Sequence, residues 1–338
     1  MLDTLKSAKD DRYWLLGLTA GLVLFHLFLT DKTGDMKSFS VSFIFWGAVL
    51  SMVWDKKEQL RLRSDRFSSL LGTTLIALAC WKIIHISSGG AFVQALPLIF
   101  GLSLALIASG YRGLGQYRPE LLALGVLALP GEKFLSNILQ SLIHALSGNY
   151  LAELTAQFTT VGLRLVGLPA ELHDSVYVHT SKAIVFVHEG CSGGGVIDFL
   201  LRLSLLLMIV FPLQRLGKIL SPLIAIAIGF LTNGVRVMVM VFLVHQGNTP
   251  AFDYWHTGNG SQIFGAIGVV LFGLACFPFI QPGASTTDAP PEAPLIPEES
   301  ALESSPPEAP AAGISSPEVS VPETSASEES NSQEQENA

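Results

Sequence analysis

The sequence predicts an all-α polytopic membrane protein with about eight transmembrane helices, a small extracytoplasmic insert of helices and a β-hairpin, and a disordered C-terminal tail. Three observations predict this class. Of the 338 residues, 49% are hydrophobic and only 14% are charged. Apolar runs near the roughly 17–25 residues that a helix needs to cross a bilayer recur along the chain. Acidic residues, in contrast, are concentrated at its C-terminal end.

Eight apolar runs are the predicted membrane spans, and the fifth is short because a Pro-Gly pair ends it. They are Tyr13–Thr30, Ser38–Trp54, Ser68–Ile86, Ala91–Gly110, Glu120–Gly131, Gly194–Phe211, Ile219–Val244 and Ser261–Ile280. These runs divide the chain into N-terminal transmembrane helices (residues 1–130), an extracytoplasmic insert (131–190), transmembrane helices that carry the candidate catalytic residues (191–280), and the tail (281–338).

The positive charges predict the orientation in the membrane. Lysines and arginines gather before the first run and in the segments after the second, fourth and sixth runs. If eight spans alternate, these four segments share one side, and the positive-inside rule makes that side the cytoplasm. The sequence therefore predicts a multi-pass protein of the cell inner membrane with both termini in the cytoplasm and the insert outside.

The insert has two kinds of periodicity. Phe134–Leu146 and Leu151–Leu168 carry Leu, Ile and Phe at helical spacing, which predicts two amphipathic helices. Ser175–His188 alternates and is rich in β-branched residues, which predicts a hairpin around Thr180-Ser181-Lys182. The hairpin should lie on the outer membrane surface.

The tail has a different composition. From Gln281 to Ala338 there are twelve acidic residues, no lysine or arginine, and many Pro, Ser and Ala residues. Such a segment has too few large apolar side chains to offset the entropy lost on ordering, so it is predicted to be disordered.

A cysteine lies where the polar insert meets the sixth apolar run. Cys191 belongs to the sequence Glu-Gly-Cys-Ser-Gly-Gly-Gly, with Glu189 and Ser192 as its polar neighbours. The glycines permit close backbone approach. Amides at a helix N-terminus lower the pKa of a thiol and can hold an oxyanion. The alternative is a buried structural cysteine, as expected for Cys80 and Cys276 within apolar spans.

An arginine lies inside the seventh predicted span. Arg236 comes about 18 residues after Lys218, which is roughly 27 Å of helix and brings it level with Cys191. A charge inside a span is costly and marks a functional site facing the protein interior. The alternative is an arginine that reaches the interface or pairs with Glu189. Asn233, one turn earlier, is expected to orient Arg236 or to bind substrate.

A histidine precedes the eighth span. His256 belongs to the sequence Tyr-Trp-His-Thr-Gly-Asn-Gly, which ends at Gly260 and lies outside by the same topology. The alternative is an interfacial belt residue beside aromatic neighbours. His188 lies closer in sequence to Cys191 and competes for the role of proton carrier. Three other histidines are expected to face lipid or solvent: His26, His85 and His144.

A thiol, a guanidinium and an imidazole are the groups that acyl transfer needs, because they supply a nucleophile, a stabiliser of negative charge and a proton carrier. The sequence has no zinc-binding pattern, phosphate loop or dinucleotide fingerprint, so we expect no metal and no cofactor. A body this apolar also gives no support to nucleic-acid binding.

The three motifs together resemble the exosortase/archaeosortase family, in particular the bacterial exosortases. They are Glu-Gly-Cys-Ser-Gly, Asn-x-x-Arg and His-x-x-x-Gly, in this order on about eight spans. The resemblance covers roughly Val166–Phe277 by motif and the upstream spans by architecture. It implies Cys191 as the nucleophile, Arg236 as an essential cation and His256 as the third member. The family more often has alanine where this chain has Gly190.

The resemblance also implies a function. It implies a membrane-embedded cysteine protease or transpeptidase that cleaves C-terminal sorting signals of exported proteins through a thioacyl intermediate. Such signals consist of a Pro-Glu-Pro-like motif, one transmembrane helix and a basic cluster. The acyl acceptor stays open between water and a surface polymer or lipid. Two alternatives from other classes are a transporter for an anionic solute and a non-enzymatic membrane scaffold.

Overall fold

The computed structural model describes residues 2–32, 36–85, 90–131, 133–258 and 260–281. Within these ranges the chain is mostly helical. The α-helices are α1 (Leu2–Lys32), α2 (Met36–Asp55), α3 (Arg66–His85), α4 (Gly90–Gly113), α5 (Arg118–Leu127), α6 (Phe134–Ser147), α7 (Leu151–Leu165), α8 (Gly194–Val210), α9 (Arg215–His245), α10 (Thr249–His256) and α11 (Gly260–Cys276). The predicted disordered tail lies outside the described residues beyond Gln281.

Within the residues that the structure describes, six stretches are long and apolar enough to cross a membrane, so the predicted number of eight is not confirmed. They are Trp14–Lys32, Ser38–Asp55, Arg66–His85, Ala91–Leu127, Arg215–His245 and Gly260–Phe279. The fourth stretch joins two predicted spans, because α4 bends at Gly110 and a short 3-10 turn leads directly into α5. With only 10 residues, α5 is about 15 Å long, half the hydrocarbon thickness. The orientation of the chain in the membrane stays a prediction.

The predicted sixth span, α8, lies outside this set. It has 17 residues and carries two buried charged side chains, Asp198 and Arg202. Arg202 Nε donates to Asp198 Oδ2 at 2.7 Å. Buried charges are costly unless they are paired and fully hydrogen-bonded, so these two residues need further partners.

Those partners are backbone groups at the ends of two neighbouring helices, α5 and α6. The Arg202 guanidinium donates to four backbone carbonyls at the end of α5 and just after it, those of Val126, Leu127, Leu129 and Gly131. Asp198 Oδ1 accepts from the amides of Leu135 and Ser136 at the start of α6. The ion pair therefore satisfies groups that a helix end leaves without partners, and it fixes α5 and α6 against α8.

A small antiparallel sheet follows α7, with strands β1 (Ala170–His173), β2 (Tyr177–Thr180) and β3 (Ile184–Phe186) in that spatial order. Strands β2 and β3 are joined by a tight turn in which the Thr180 amide donates to the Ala183 carbonyl at 2.8 Å. Strand β1 was not predicted, because its four residues are too few for an alternating pattern to be visible. Strands β1 and β3 are the two edge strands of this sheet.

Two hydrophobic clusters hold the described part of the chain together. The larger cluster packs α1, α2, α4, α5, α8 and α9 around side chains such as Phe45, Phe100 and Leu200. The smaller one joins α7, the sheet and α9 through Val178, Val187 and Val237, and it includes Cys191. The cysteine therefore lies where the sheet packs against the helices.

One histidine prediction is wrong. His26 was expected to face lipid or solvent, but its side chain is buried and its Nδ1 accepts from Trp46 Nε1 at 3.2 Å. Within an apolar span the sequence does not tell which face packs against other helices, and this face of α1 packs against α2. His85 and His144 are exposed, as predicted.

Candidate active site

The nucleophile candidate lies at the end of a short 3-10 turn, Glu189–Cys191, that leads into α8. Its backbone is held by neighbours from two elements. The Asn233 side-chain amide, on α9, donates to the Cys191 carbonyl at 2.8 Å. The Thr155 hydroxyl, on α7, donates to the Ser192 carbonyl at 3.0 Å. The turn is therefore fixed against two helices before any side chain of the site is considered.

Glycine is required just after the cysteine. Gly193 has φ +90°, a conformation that side chains disfavour, and a Cβ there would lie 2.8 Å from Asn233 Nδ2. Gly193 and Gly194 are also buried, so their amides are not the exposed helix-terminal groups that the sequence had predicted. The glycines instead permit the close packing of the turn against α9 and α6.

Two imidazoles flank the sulfur. His188 Nε2 lies 3.5 Å from Cys191 Sγ. His256, the last residue of α10, places its Nε2 3.9 Å from the same sulfur. His188 Nδ1 accepts a hydrogen bond from the Gly190 amide at 2.9 Å. A neutral imidazole that accepts at Nδ1 carries its proton on Nε2. His188 therefore presents an N–H to the sulfur when neutral.

His256 is held differently. Its ring stacks on Phe252 with 4.9 Å between ring centroids. Its backbone carbonyl accepts from Arg236 Nη2 at 2.7 Å, and Arg236 Nε lies 3.4 Å from the Trp255 carbonyl. Arg236 thus caps the C-terminal carbonyls of α10 with a cation, which fixes the backbone that carries His256. The structure brings Cys191 and His256 together, as the motifs predicted.

The predicted supporting residues have other contacts than those expected. Asn233 was expected to orient Arg236 or to bind substrate, but it binds the Cys191 carbonyl. The alternative pairing of Arg236 with Glu189 is wrong for the described residues, whose ion pairs within 4 Å do not include either side chain. Ser192 Oγ donates to the Glu189 carbonyl at 2.8 Å and so stabilises the turn.

Gly260 is required by packing. A Cβ at this position would lie 2.6–2.8 Å from the aromatic rings of Tyr254 and Trp255. The glycine that ends the histidine motif therefore allows the first residue of α11 to pack against the aromatic side chains of α10. Asn259, within the same motif, lies outside the described residues.

The surroundings of Cys191 and His256 favour the uncharged form of both side chains. Burial raises the pKa of the Cys191 thiol, and the positive charges of Arg236 and Lys133 oppose this shift without reversing it. Burial lowers the pKa of His256, and Arg236 and His188 lower it further, against the opposing effect of Asp253. Near neutral pH the pair is therefore a thiol beside a neutral imidazole. The sequence had predicted a thiol pKa lowered by helix-terminal amides, but burial has the larger effect.

The same three groups form a possible metal-ligand set. The sulfur of Cys191 and one ring nitrogen each of His188 and His256 lie within 4.8 Å of one another. Cysteine sulfur and histidine nitrogen are zinc ligands. The guanidinium of Arg236, which is close enough to lower the pKa of the thiol, adds a positive charge that opposes a divalent cation. No linear motif could predict this set, because His256 is 65 residues from Cys191.

An apolar groove of about 460 Å³ leads to the sulfur. One wall is β3 with the residues that follow it, up to Cys191. The opposite wall is formed by α9 and α10, including Val237, Met240 and Phe252. A ligand in this groove would lie against the thiol and both imidazoles.

A comparison with known protein families gives one match. The family description "Transmembrane exosortase (Exosortase_EpsH)" matches residues 33–273, which is most of the chain. The chain belongs to the transmembrane exosortase family. Neither a curated protein nor a solved structure matches this exosortase. Together with its apolar helices, family membership makes it a multi-pass membrane protein in contact with the lipid bilayer and assigns it a protease-like or sorting-related role.

Proposed function

We propose that this exosortase is a membrane-embedded cysteine protease or transpeptidase whose nucleophile is Cys191. The observation that carries the proposal is the position of the sulfur, 3.5 Å and 3.9 Å from two imidazole nitrogens at the end of a groove. A nucleophile within reach of a base, with the base oriented by a third group, is the arrangement that covalent catalysis needs.

The first half of the reaction is acyl transfer to the enzyme. Neutral His256 accepts the proton of the Cys191 thiol as the sulfur attacks the scissile carbonyl carbon. The new S–C bond gives a tetrahedral oxyanion, and the positive charge of Arg236, which also lowers the pKa of the thiol, stabilises it. His256 then gives the proton to the leaving amine as the C–N bond breaks. His188, with its N–H directed at the sulfur, stabilises the thiolate character of the attacking group.

The second half releases the acyl group. A nucleophile with an ionisable proton, either water or a group on a surface polymer or lipid, attacks the thioester carbonyl. His256 accepts its proton, the C–S bond breaks, and the thiol is regenerated. Water makes the enzyme a protease, and another acceptor makes it a transpeptidase. Either path returns Cys191 and His256 to their initial protonation states.

The proposed substrates are exported proteins with a C-terminal Pro-Glu-Pro-like motif, one transmembrane helix and a basic cluster. In the predicted orientation in the cell inner membrane, the site faces outward and the substrate helix lies in the bilayer beside the enzyme. An anchored substrate reaches the thiol without the full loss of translational and rotational freedom, and such pre-orientation is worth several kcal/mol.

The test is co-expression in membranes of a model substrate with the wild type, Cys191→Ala and Cys191→Ser. Cys80→Ala is the matched control, because it removes a free thiol outside the site. We expect loss of the substrate's C-terminal signal with the wild type and Cys80→Ala only. Wild-type processing by Cys191→Ala would contradict the proposal and favour the transporter or scaffold alternatives.

A further inference from the structure

The outer strand of the sheet has backbone groups without strand partners. Within the part of the chain that the structure describes, strand β3 pairs with β2 alone, in the register Val178↔Val185. The Val187 amide donates to the Val176 carbonyl, so the hydrogen-bonded pairs are those of Val185 and Val187. The alternate residues Ile184 and Phe186 therefore direct their N–H and C=O groups away from β2.

This edge lacks the usual protection of a sheet edge. Edge strands commonly carry lysine, proline, a bulge or a covering segment that prevents another strand from pairing. The stretch from Ala183 to Val187 contains no charged residue and no proline. Ile184 is 64% exposed and Phe186 is 51% exposed. The free edge is thus both unpaired and apolar.

The edge is continuous with the candidate active site. Ile184, Phe186, His188 and Cys191 all line the same 460 Å³ groove. Phe186 is five residues before Cys191, and the chain between them includes His188, whose Nε2 lies 3.5 Å from the sulfur. A strand added at this edge would pass the thiol within a few residues.

We propose that the substrate segment next to the scissile bond binds as an extended strand added to β3. The main chain of the substrate hydrogen-bonds to the peptide groups of Ile184 and Phe186. Alternate substrate side chains enter the groove and pack against Val237, Met240 and Phe252. Strand addition of this kind takes affinity from main-chain hydrogen bonds and selectivity from alternate side chains. The substrate class is an extended peptide with apolar groups at alternate positions beside the cleavage point, and the inference rests on the proposed function.

The test uses proline at a position whose N–H faces outward. Ile184→Pro removes one edge donor but no hydrogen bond to β2, and proline is tolerated at sheet edges. Ile184→Thr keeps the N–H and a β-branched side chain. We expect kcat/KM of Ile184→Pro to be roughly three- to tenfold below that of Ile184→Thr, through KM, as for the loss of one hydrogen bond. Ser181→Pro, in the turn of the same hairpin, is the control that keeps wild-type processing.

Two readouts separate the possible failures. Alkylation of Cys191 by a small reagent reports an intact site without the peptide. Equal processing by Ile184→Pro and Ile184→Thr, with loss of activity in Cys191→Ala, would overturn strand addition and leave the proposed function standing. Wild-type processing by Cys191→Ala would overturn the proposed function instead.

A crosslinking measurement covers the case in which Ile184→Pro does not fold. A photoreactive benzoylphenylalanine replaces Phe186 in the Cys191→Ala variant, which cannot turn over, and the model substrate is co-expressed. We expect adducts to substrate residues within a few positions of the cleavage point. Adducts to lipid or to the substrate's membrane helix alone would overturn the proposal.

Discussion

At the scale of residues, the two imidazoles beside Cys191 have different roles because their nitrogens have different partners. Nδ1 of His188 accepts from the Gly190 amide, so its Nε2 is a donor toward the sulfur. His256 has its backbone fixed by Arg236 and a lowered pKa, so its Nε2 is the available proton acceptor. Proton transfer therefore belongs to His256 and thiolate stabilisation to His188 in the proposed mechanism.

The assignment predicts unequal effects of glutamine at the two positions. His256→Gln removes the base, and processing should fall by about 10²–10⁴, the usual contribution of general acid–base catalysis. His188→Gln keeps an N–H donor near the sulfur and should lose about tenfold or less. Initial rates of substrate processing in membranes check this. An inactive His188→Gln beside an active His256→Gln would reverse the assignment.

The raised thiol pKa predicts slow alkylation near neutral pH. An unperturbed thiol has a pKa of about 8.5, and burial raises that of Cys191 above the ordinary value. The thiolate fraction should therefore keep rising as the pH passes the ordinary thiol pKa. The rate of Cys191 alkylation by iodoacetamide, measured without substrate, should rise with it. Mass spectrometry of the Cys191 peptide, in a Cys80→Ala background, gives the profile. A rate that is already constant between pH 6 and 8 would indicate a preformed thiolate and contradict the account.

The sequence singled out candidate residues but did not predict their contacts. Cys191, Arg236 and His256 were distinguished because polar groups in or beside apolar runs are rare. The contact of Asn233 with the Cys191 carbonyl was missed, because spacing along a helix indicates a shared face but not which neighbour a side chain binds. His188 stayed an open alternative for the same reason.

At the scale of elements, the turn around Cys191 depends on its approach to α9. Gly193→Ala places a Cβ 2.8 Å from Asn233 Nδ2 at φ +90°, so the turn must shift. We expect a loss of about 1–3 kcal/mol in the free energy of unfolding and a large loss of processing. Gly265→Ala is the matched control, because nothing lies within 4 Å of its added Cβ. Thermal unfolding in detergent and processing assays check both, and wild-type behaviour of Gly193→Ala would contradict the packing described.

The buried pair in α8 makes a second prediction at this scale. Asp198→Asn and Arg202→Met each leave one charge without its partner, which costs about 3–5 kcal/mol when the pair is buried. The melting temperature should fall in both variants, because each leaves a buried charge without its partner, and Arg202→Met also removes the donors to the carbonyls at the end of α5. Glu171→Gln is the control, since its contact with His173 is exposed and should contribute little. Unchanged stability of Asp198→Asn would show that the helix ends are held by other contacts.

Long apolar periodicity predicted membrane helices that the structure shows, whereas the two predicted spans of unusual length or charge are not confirmed as separate spans. The long apolar runs correspond to the six long apolar stretches of the described residues. The ten-residue α5 continues the stretch that begins in α4, and α8, with its ion pair, is not among the six. Charged residues of α8 are explained by the helix ends that they cap, which are about 60–75 residues away in the sequence. Such long-range pairing has no local pattern.

At the scale of the whole molecule, membrane helices and a small sheet meet at one cysteine. The smaller hydrophobic cluster contains strand residues, helix residues and Cys191 together. Helix α9 therefore supplies Arg236 and Asn233, and β3 with the residues that follow it supplies one wall of the groove and His188. The composition of the chain predicted the membrane class, and the order of its motifs predicted the exosortase family. The position of the sheet beside the Cys191 thiol could not be predicted from the sequence and was seen only in the structure.

The central claim is that Cys191 carries the acyl group during the reaction. The most direct measurement is mass spectrometry of the wild-type enzyme quenched in acid during turnover of the model substrate. We predict a thioester adduct on the Cys191 peptide, with the mass of the substrate's N-terminal fragment, that hydroxylamine removes. Two observations together would contradict this mechanism: wild-type enzyme that processes substrate while Cys191 stays unmodified, and Cys191→Ala that processes substrate at the wild-type rate.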